Sequence, residues 1–191
     1  MTRPESHVNS RKGPDQIETQ RLLLRKPSIE DVDSIFSRYA SDPAVTRYMS
    51  WPRHRSVADT KAFLAWSDAD WAQWPAGSYL VFERDRLGRL LGGTGLTFVS
   101  LEHALTGYVF ARDAWGFGFA TESMKAMVAL ARSLGVRRLE AVCHVDHRAS
   151  ARVLEKCGFM SEGVVPEHTE FVNLNPGIKS DVLSFVHHFL G

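Results

Sequence analysis

The chain has 191 residues and only two cysteines, Cys143 and Cys157. Two thiols cannot build a disulfide framework, so a reducing, cytoplasmic compartment is expected. No apolar run approaches the roughly 20 residues that a membrane helix needs. Residues 1–16 are polar and lack the apolar stretch of a secretory signal, so they read as a disordered tail ahead of one domain over 17–191. Charge of one sign is also missing. Lys and Arg number 23 against 22 Asp and Glu, a formal +1, which argues against a broad nucleic-acid or membrane surface. Internal repeats and low-complexity segments are absent as well. What is present is 44% hydrophobic content, enough for a single domain with a proper core.

Residues 21–25, Arg-Leu-Leu-Leu-Arg, read as a first strand ended by Pro27. Ser28 to Asp31 resembles a capping box and opens a helix through about Tyr39, which Asp42-Pro43 stops. A second helix is expected from Val57 to about Trp71, with Ala62, Phe63 and Trp66 as buried candidates. Tyr79–Glu83 and Leu90–Val99 read as paired strands around a turn at 85–88. A strand at 106–110, a helix ending at Gly135, a strand over 137–142 and a short helix over 149–157 follow. Strands over 159–164 and 181–189 complete a mixed α/β layout.

Residues 115–122, Trp115-Gly116-Phe117-Gly118-Phe119-Ala120-Thr121-Glu122, carry the sharpest signal. They set a small-residue loop directly on a helix in which Ala120, Met124, Met127, Val128, Ala131 and Leu134 recur at three- and four-residue steps. Gly116 and Gly118 let the backbone approach a ligand. The first helical turn adds unpaired N–H groups and a positive dipole end. Together they suit the pyrophosphate of a nucleotide-bearing cofactor. A Rossmann site would need this string after the first strand and an acidic residue about 20 positions on. Several strands precede it here, and Arg137 and Arg138 occupy the later position.

Tyr108 with the 115–122 loop, and then Ala149-Ser150-Ala151-Arg152-Val153-Leu154-Glu155-Lys156-Cys157-Gly158-Phe159, resemble the GNAT N-acyltransferases. The likeness is closer to the branch that contains the bacterial ribosomal-protein N-terminal (Rim-type) acetyltransferases. Leu22-Leu23-Leu24-Arg25 and Trp51-Pro52 also resemble that branch. The resemblance spans about 17–190. It implies an α/β (α+β) GNAT fold, with a mixed, splayed central sheet of about seven strands and helices on both faces. It also implies acetyl-CoA as acyl donor and a primary amine as acceptor, either a protein N-terminus or a small molecule. No membrane or nucleic-acid partner is expected, and homodimers are frequent in the family. The final strand and the Trp-rich second helix are candidate interfaces.

By the same resemblance, the pyrophosphate meets the loop Trp115, Gly116, Phe117, Gly118, Phe119, Ala120 and Thr121. The pantetheine arm lies along Val109-Phe110-Ala111, with the Phe110 N–H polarising the thioester carbonyl. Ser150 aligns with a serine that serves the leaving thiolate; a helix cap is its bland alternative. His147 stands where relatives carry an asparagine that meets the cofactor. Leu154 replaces a tyrosine common elsewhere in the family. Leu105 and Thr106 replace a strand glutamate, so Glu170 becomes the preferred general base, with Glu167 and His168 as rivals and Glu102 further back. Trp51, His54 and Arg55 lie on the segment that walls the acceptor groove in relatives. Glu122 favours the helix N-terminus electrostatically. The spacing of Cys143, His144, His147 and Cys157 fits no common zinc pattern, and no metal is expected. The competing reading is a CoA-binding sensor or scaffold without turnover.

Overall fold

A three-residue strand with no counterpart in the sequence reading opens the fold: β1 (Gln16–Glu18) pairs antiparallel with β2 (Leu22–Arg25). The computed structural model describes residues 12–85 and 88–189. The expected tail over 1–16 therefore lies largely outside the described residues. Within them it is already anchored, since the Gly13 N–H donates to the Pro75 carbonyl at 2.7 Å and the Tyr79 hydroxyl to that of Pro14 at 2.7 Å.

The capping box forms as read: the Asp31 carboxylate accepts from the Ser28 N–H at 2.8 Å and the Ser28 hydroxyl at 3.0 Å. A 3₁₀ turn there leads into α1 (Val32–Ile35) and a π-helical turn (Phe36–Ala40). Then come α2 (Pro43–Thr46) and α3 (Val57–Gln73). A meander of β3 (Ser78–Glu83), β4 (Leu90–Ser100) and β5 (His103–Phe110) follows. Helix α4 (Phe119–Leu134), β6 (Arg138–His144), α5 (Arg148–Lys156), β7 (Met160–Glu170) and β8 (Lys179–His188) close the order.

The eight strands of the described residues form one sheet in the order β1-β2-β3-β4-β5-β6-β8-β7. Side chains alternate faces along a strand. Thus Tyr79 and Val81 enter a core with α4 and α5, whereas Leu80 and Phe82 enter a second core with α1 and Leu64. That two-sided burial explains the continuous apolar run of β3.

Two expectations are corrected. The inward face of α3 is Thr60, Leu64, Ser67 and Trp71, while Trp66 is 50% exposed. Apolar residues surround this helix, so periodicity could not select its face. The last strand is also not an edge: β8 lies between β6 and β7, and β7 is the outer strand.

The site depends on how β5 and β6 meet. They pair in parallel only at His103–Arg138, Ala104–Leu139 and Leu105–Glu140. Beyond that the strands part, and the V between 106–110 and 141–144 is the splay that the resemblance implied.

Candidate active site

The ladder between β4 and β5 decides which backbone groups face the V. The Ala111 N–H donates to the Leu91 carbonyl at 2.8 Å, and the register runs unbroken from Gly92–Phe110 to Phe98–Ala104. Antiparallel pairing alternates. Val109 and Ala111 therefore commit their N–H groups to β4, and Tyr108 and Phe110 turn theirs toward the gap. Of the three residues expected along a pantetheine arm, only Phe110 offers backbone there, a correction that follows from the register. The Phe110 carbonyl is taken by the Trp115 indole N–H at 2.7 Å, so of this residue's two backbone groups the N–H is the one left facing the gap.

The glycine loop has the geometry expected of it. Gly116 and Gly118 sit at φ +82° and +80°, where a side chain would be strained, and no atom crowds the position of a Cβ at Gly116. Gly118 is the N-cap of α4, so the first-turn N–H groups of a 16-residue helix point out of the loop without intrahelical partners. These residues fit a pyrophosphate.

Arg21 was read only as a strand residue, and its role here has no signal in the sequence. Its Nε donates to Glu122 at 2.7 Å, its backbone N–H to the same carboxylate at 2.8 Å, and its Nη1 to the Phe117 carbonyl at 2.9 Å. The guanidinium lies 4.8 Å from the centre of the Phe119 ring. Burial pushes the Glu122 carboxyl up, but hydrogen bonds from Thr19 and Arg21, with the Arg21 charge, outweigh it and hold the group below its usual range. Glu122 is thus the loop's anchor to the β1–β2 turn, as well as a favourable charge at the helix start.

Ser150 is buried in the first turn of α5, whose N-cap is His147. It does not cap the helix. Its Oγ instead lies 3.0 Å from the Tyr108 hydroxyl. Burial, partly countered by this bond, pushes the Tyr108 phenol up to about 12, so Tyr108 remains protonated and donates to Ser150. In the sequence Tyr108 contributes to the family resemblance but carries no assigned chemical role. Burial also pushes Cys143 and Cys157 up to about 11, which makes both poor nucleophiles.

Neighbouring residues of β6 face apart, as expected. Cys143 enters the core, and His144 meets the Tyr48 and Phe171 rings at 5.1 Å each. The His147 ring stacks on Tyr48 at 4.7 Å; burial, then the nearby His144, holds its pKa below the ordinary value. Among the described residues there is no cluster able to hold a metal.

The segment expected to wall the acceptor, from Trp51 to Arg55, meets the turn after β7 through Asn173. Its Oδ1 accepts the Arg53 N–H at 2.8 Å, and its Nδ2 donates to the Thr46 and Trp51 carbonyls at 2.8 and 2.9 Å. Glu170, three residues earlier, accepts the Gly177 N–H at 2.7 Å through Oε1. Glu167, at φ 47°, and His168 lie exposed where the β7–β8 register slips. Glu102 pairs with Arg137 at the closed end of the V, eight residues before Phe110 or roughly 25 Å along a strand.

Residues 21–160 match the acetyltransferase (GNAT) domain. The chain belongs to the GNAT acetyltransferase family. It is 32% identical over 155 residues to the uncharacterized N-acetyltransferase YoaA of Bacillus subtilis (strain 168), covering 80% of this chain and 86% of that one. Its fold matches the microcin C7 self-immunity acetyltransferase MccE, solved with acetyl-CoA and AMP, at TM-score 0.81 and 18% identity over 94% of this chain and 99% of that one. It also matches RimL, a ribosomal L7/L12 alpha-N-protein acetyltransferase solved with coenzyme A, at TM-score 0.80 and 22% identity over 91% and 98%. This GNAT chain is an acyltransferase with the family's mixed α/β fold. Among the described residues, no helix is long and apolar enough to cross a membrane.

Proposed function

We propose that this GNAT enzyme, a cytoplasmic member of the Rim-like branch, moves an acetyl group directly from acetyl-CoA to a primary amine. The observation that carries the reading is the V beside the glycine loop, with the Phe110 N–H on one edge and the Tyr108–Ser150 pair beneath it. Acetyl-CoA, when bound, supplies an activated acetyl thioester. The first turn of α4 and the loop from Trp115 to Thr121 hold the pyrophosphate. The Phe110 N–H polarises the carbonyl from a fixed position on β5. Glu170 keeps its Oε1 on Gly177, and its Oε2, which has no partner among the described residues, takes the amine proton through water. Ser150 accepts a hydrogen bond from Tyr108, which leaves its own hydrogen available to the departing sulfur. A tyrosine from β5 thereby supplies, through Ser150, the hydroxyl missing at Leu154.

The test is CoA release, followed with a thiol reagent, across N-terminal peptides, polyamines, aminoglycosides and amino acids. Glu170→Gln and Ser150→Ala should each lower kcat by roughly 100-fold while acetyl-CoA still binds. Tyr108→Phe should lower kcat with KM for acetyl-CoA unchanged. Because it acts through Ser150, the double variant Tyr108→Phe/Ser150→Ala should be no slower than Ser150→Ala. Additive losses would remove Tyr108 from this route. Acetyl-CoA binding without turnover on any amine would favour a CoA-binding sensor.

A further inference from the structure

We propose that the acceptor amine carries an oxyanion, a carboxylate or a phosphate, and that Arg53 and Arg55 bind it. This narrows the acetyl-transfer reading above and rests on it. A cleft of about 440 Å³ opens beside the π-helical turn, lined by Phe36, Ser41, Arg53, His54 and Arg55. Its lining includes two arginines and no acidic residue. Three arginines near this cleft are neutralised: Arg38 and Arg89 pair with Asp113, and Arg112 pairs with Asp42. Arg53 and Arg55 have no carboxylate on their guanidinium groups among the described residues. Asp59, the acid nearest in sequence, directs Oδ2 to the Arg55 and Ser56 N–H groups at 2.8 and 2.9 Å instead.

The backbone beneath these side chains is fixed at each step. Asn173 holds the Trp51 carbonyl and the Arg53 N–H, the His54 N–H donates to the Ala40 carbonyl at 3.0 Å, and Asp59 holds the Arg55 N–H. Two arginines rising from a pinned segment lose less freedom on binding than arginines on a loose loop. Their planar forks match carboxylate and phosphate oxygens. His54 adds no further cation near neutral pH, since burial holds its pKa below the ordinary value, and its Nδ1 lies 2.8 Å from Thr60 Oγ1, so the two arginines carry the charge.

The position of the cleft gives the bound acceptor a direction. Asn173 belongs to the turn that Glu170 closes and holds the Arg53 N–H, so one residue ties the cationic cleft to the turn that carries Glu170. The Glu170 carboxylate repels an oxyanion and attracts an ammonium; the two arginines do the reverse. An acceptor bearing both groups is held with its amine toward Glu170 and its oxyanion toward Arg53 and Arg55.

The experiment compares matched acceptors in two arms. A tripeptide with Asp at its second and third positions is set against its Asn counterpart, and phosphoethanolamine against ethanolamine. Wild type should favour the anionic member of at least one arm by roughly 10- to 100-fold in kcat/KM, the scale of one or two charge-assisted hydrogen bonds. The arm that responds identifies the oxyanion. In R53Q/R55Q the preference should collapse while KM for acetyl-CoA stays unchanged, and calorimetry with the same anionic acceptor should show weakened binding. Turnover with no charge preference, or a preference that survives in R53Q/R55Q, overturns the inference and leaves the acetyl-transfer reading standing. Acetyl-CoA binding with no turnover of any amine overturns the acetyl-transfer reading itself.

Discussion

At the scale of single residues, the glycine loop is held by a partner about 100 positions away in the chain. Arg21 bridges the Phe117 carbonyl and the Glu122 carboxylate, so it fixes the loop on both sides of Gly118. Its side chain is 43% exposed, and solvent screening leaves the ion pair worth ~1 kcal/mol or less to stability. Its larger effect is on loop geometry. Arg21→Ala should raise the Kd for CoA by roughly tenfold with kcat on bound acetyl-CoA little changed, and Glu122→Gln should move the same way. Lys at position 21 keeps the charge without the fork and should recover only part of the affinity. Titration calorimetry with CoA, beside steady-state kinetics, separates this positioning effect from a loss of fold. Glu122 was legible as a charge at a helix start because its position alone says so. Arg21 and Tyr108 were not, since local sequence carries no mark of contacts made 101 and 42 residues apart.

At the scale of elements, most of the fold was legible in the chain. The capping box at Ser28, the amphipathic α4 and the paired strands around residues 85–88 follow local rules, and they form close to where they were read. β1 escaped because three residues make too short a pattern, and α3 showed apolar residues all round. The turn after β7 is the element on which the proposed acceptor side rests. Asn173 makes three hydrogen bonds to the segment between Thr46 and Arg53, and no local feature marks it. Asn173→Ala should cost about 1–3 kcal/mol and release that wall. Acceptor kcat/KM should fall by at least tenfold while CoA affinity stays within twofold. Chemical denaturation and calorimetry read the two effects separately, and a parallel loss of CoA affinity would contradict the division into two sides.

At the scale of the whole molecule, burial of imidazoles sets the acid response. His54, His147 and His187 are each held below the ordinary value of 6.5, chiefly by burial. Their unfolded forms bind protons first as pH falls. The stability they contribute is therefore complete above about pH 6.5 and is lost as pH drops through their folded values, before the carboxylates titrate. The thermal midpoint should be level from pH 8 to 7 and decline between 6.5 and 5, and His147→Asn should flatten part of that decline. A midpoint independent of pH over this window would show that burial does not hold the three rings neutral.

Composition, the two family blocks and the hydrophobic periods were sufficient for the fold class, the GNAT family and the glycine loop at the head of α4. Those properties arise within a few turns of chain, from spacing and residue type. The end of β5–β6 pairing at Leu105–Glu140, the choice of Phe110 over Val109 and Ala111, the Tyr108–Ser150 contact and the cationic cleft at Arg53 and Arg55 came only from the folded chain. Each depends on register or on contacts between distant segments. Long-range pairing is set by the packing of all the strands together, and no window of residues contains it.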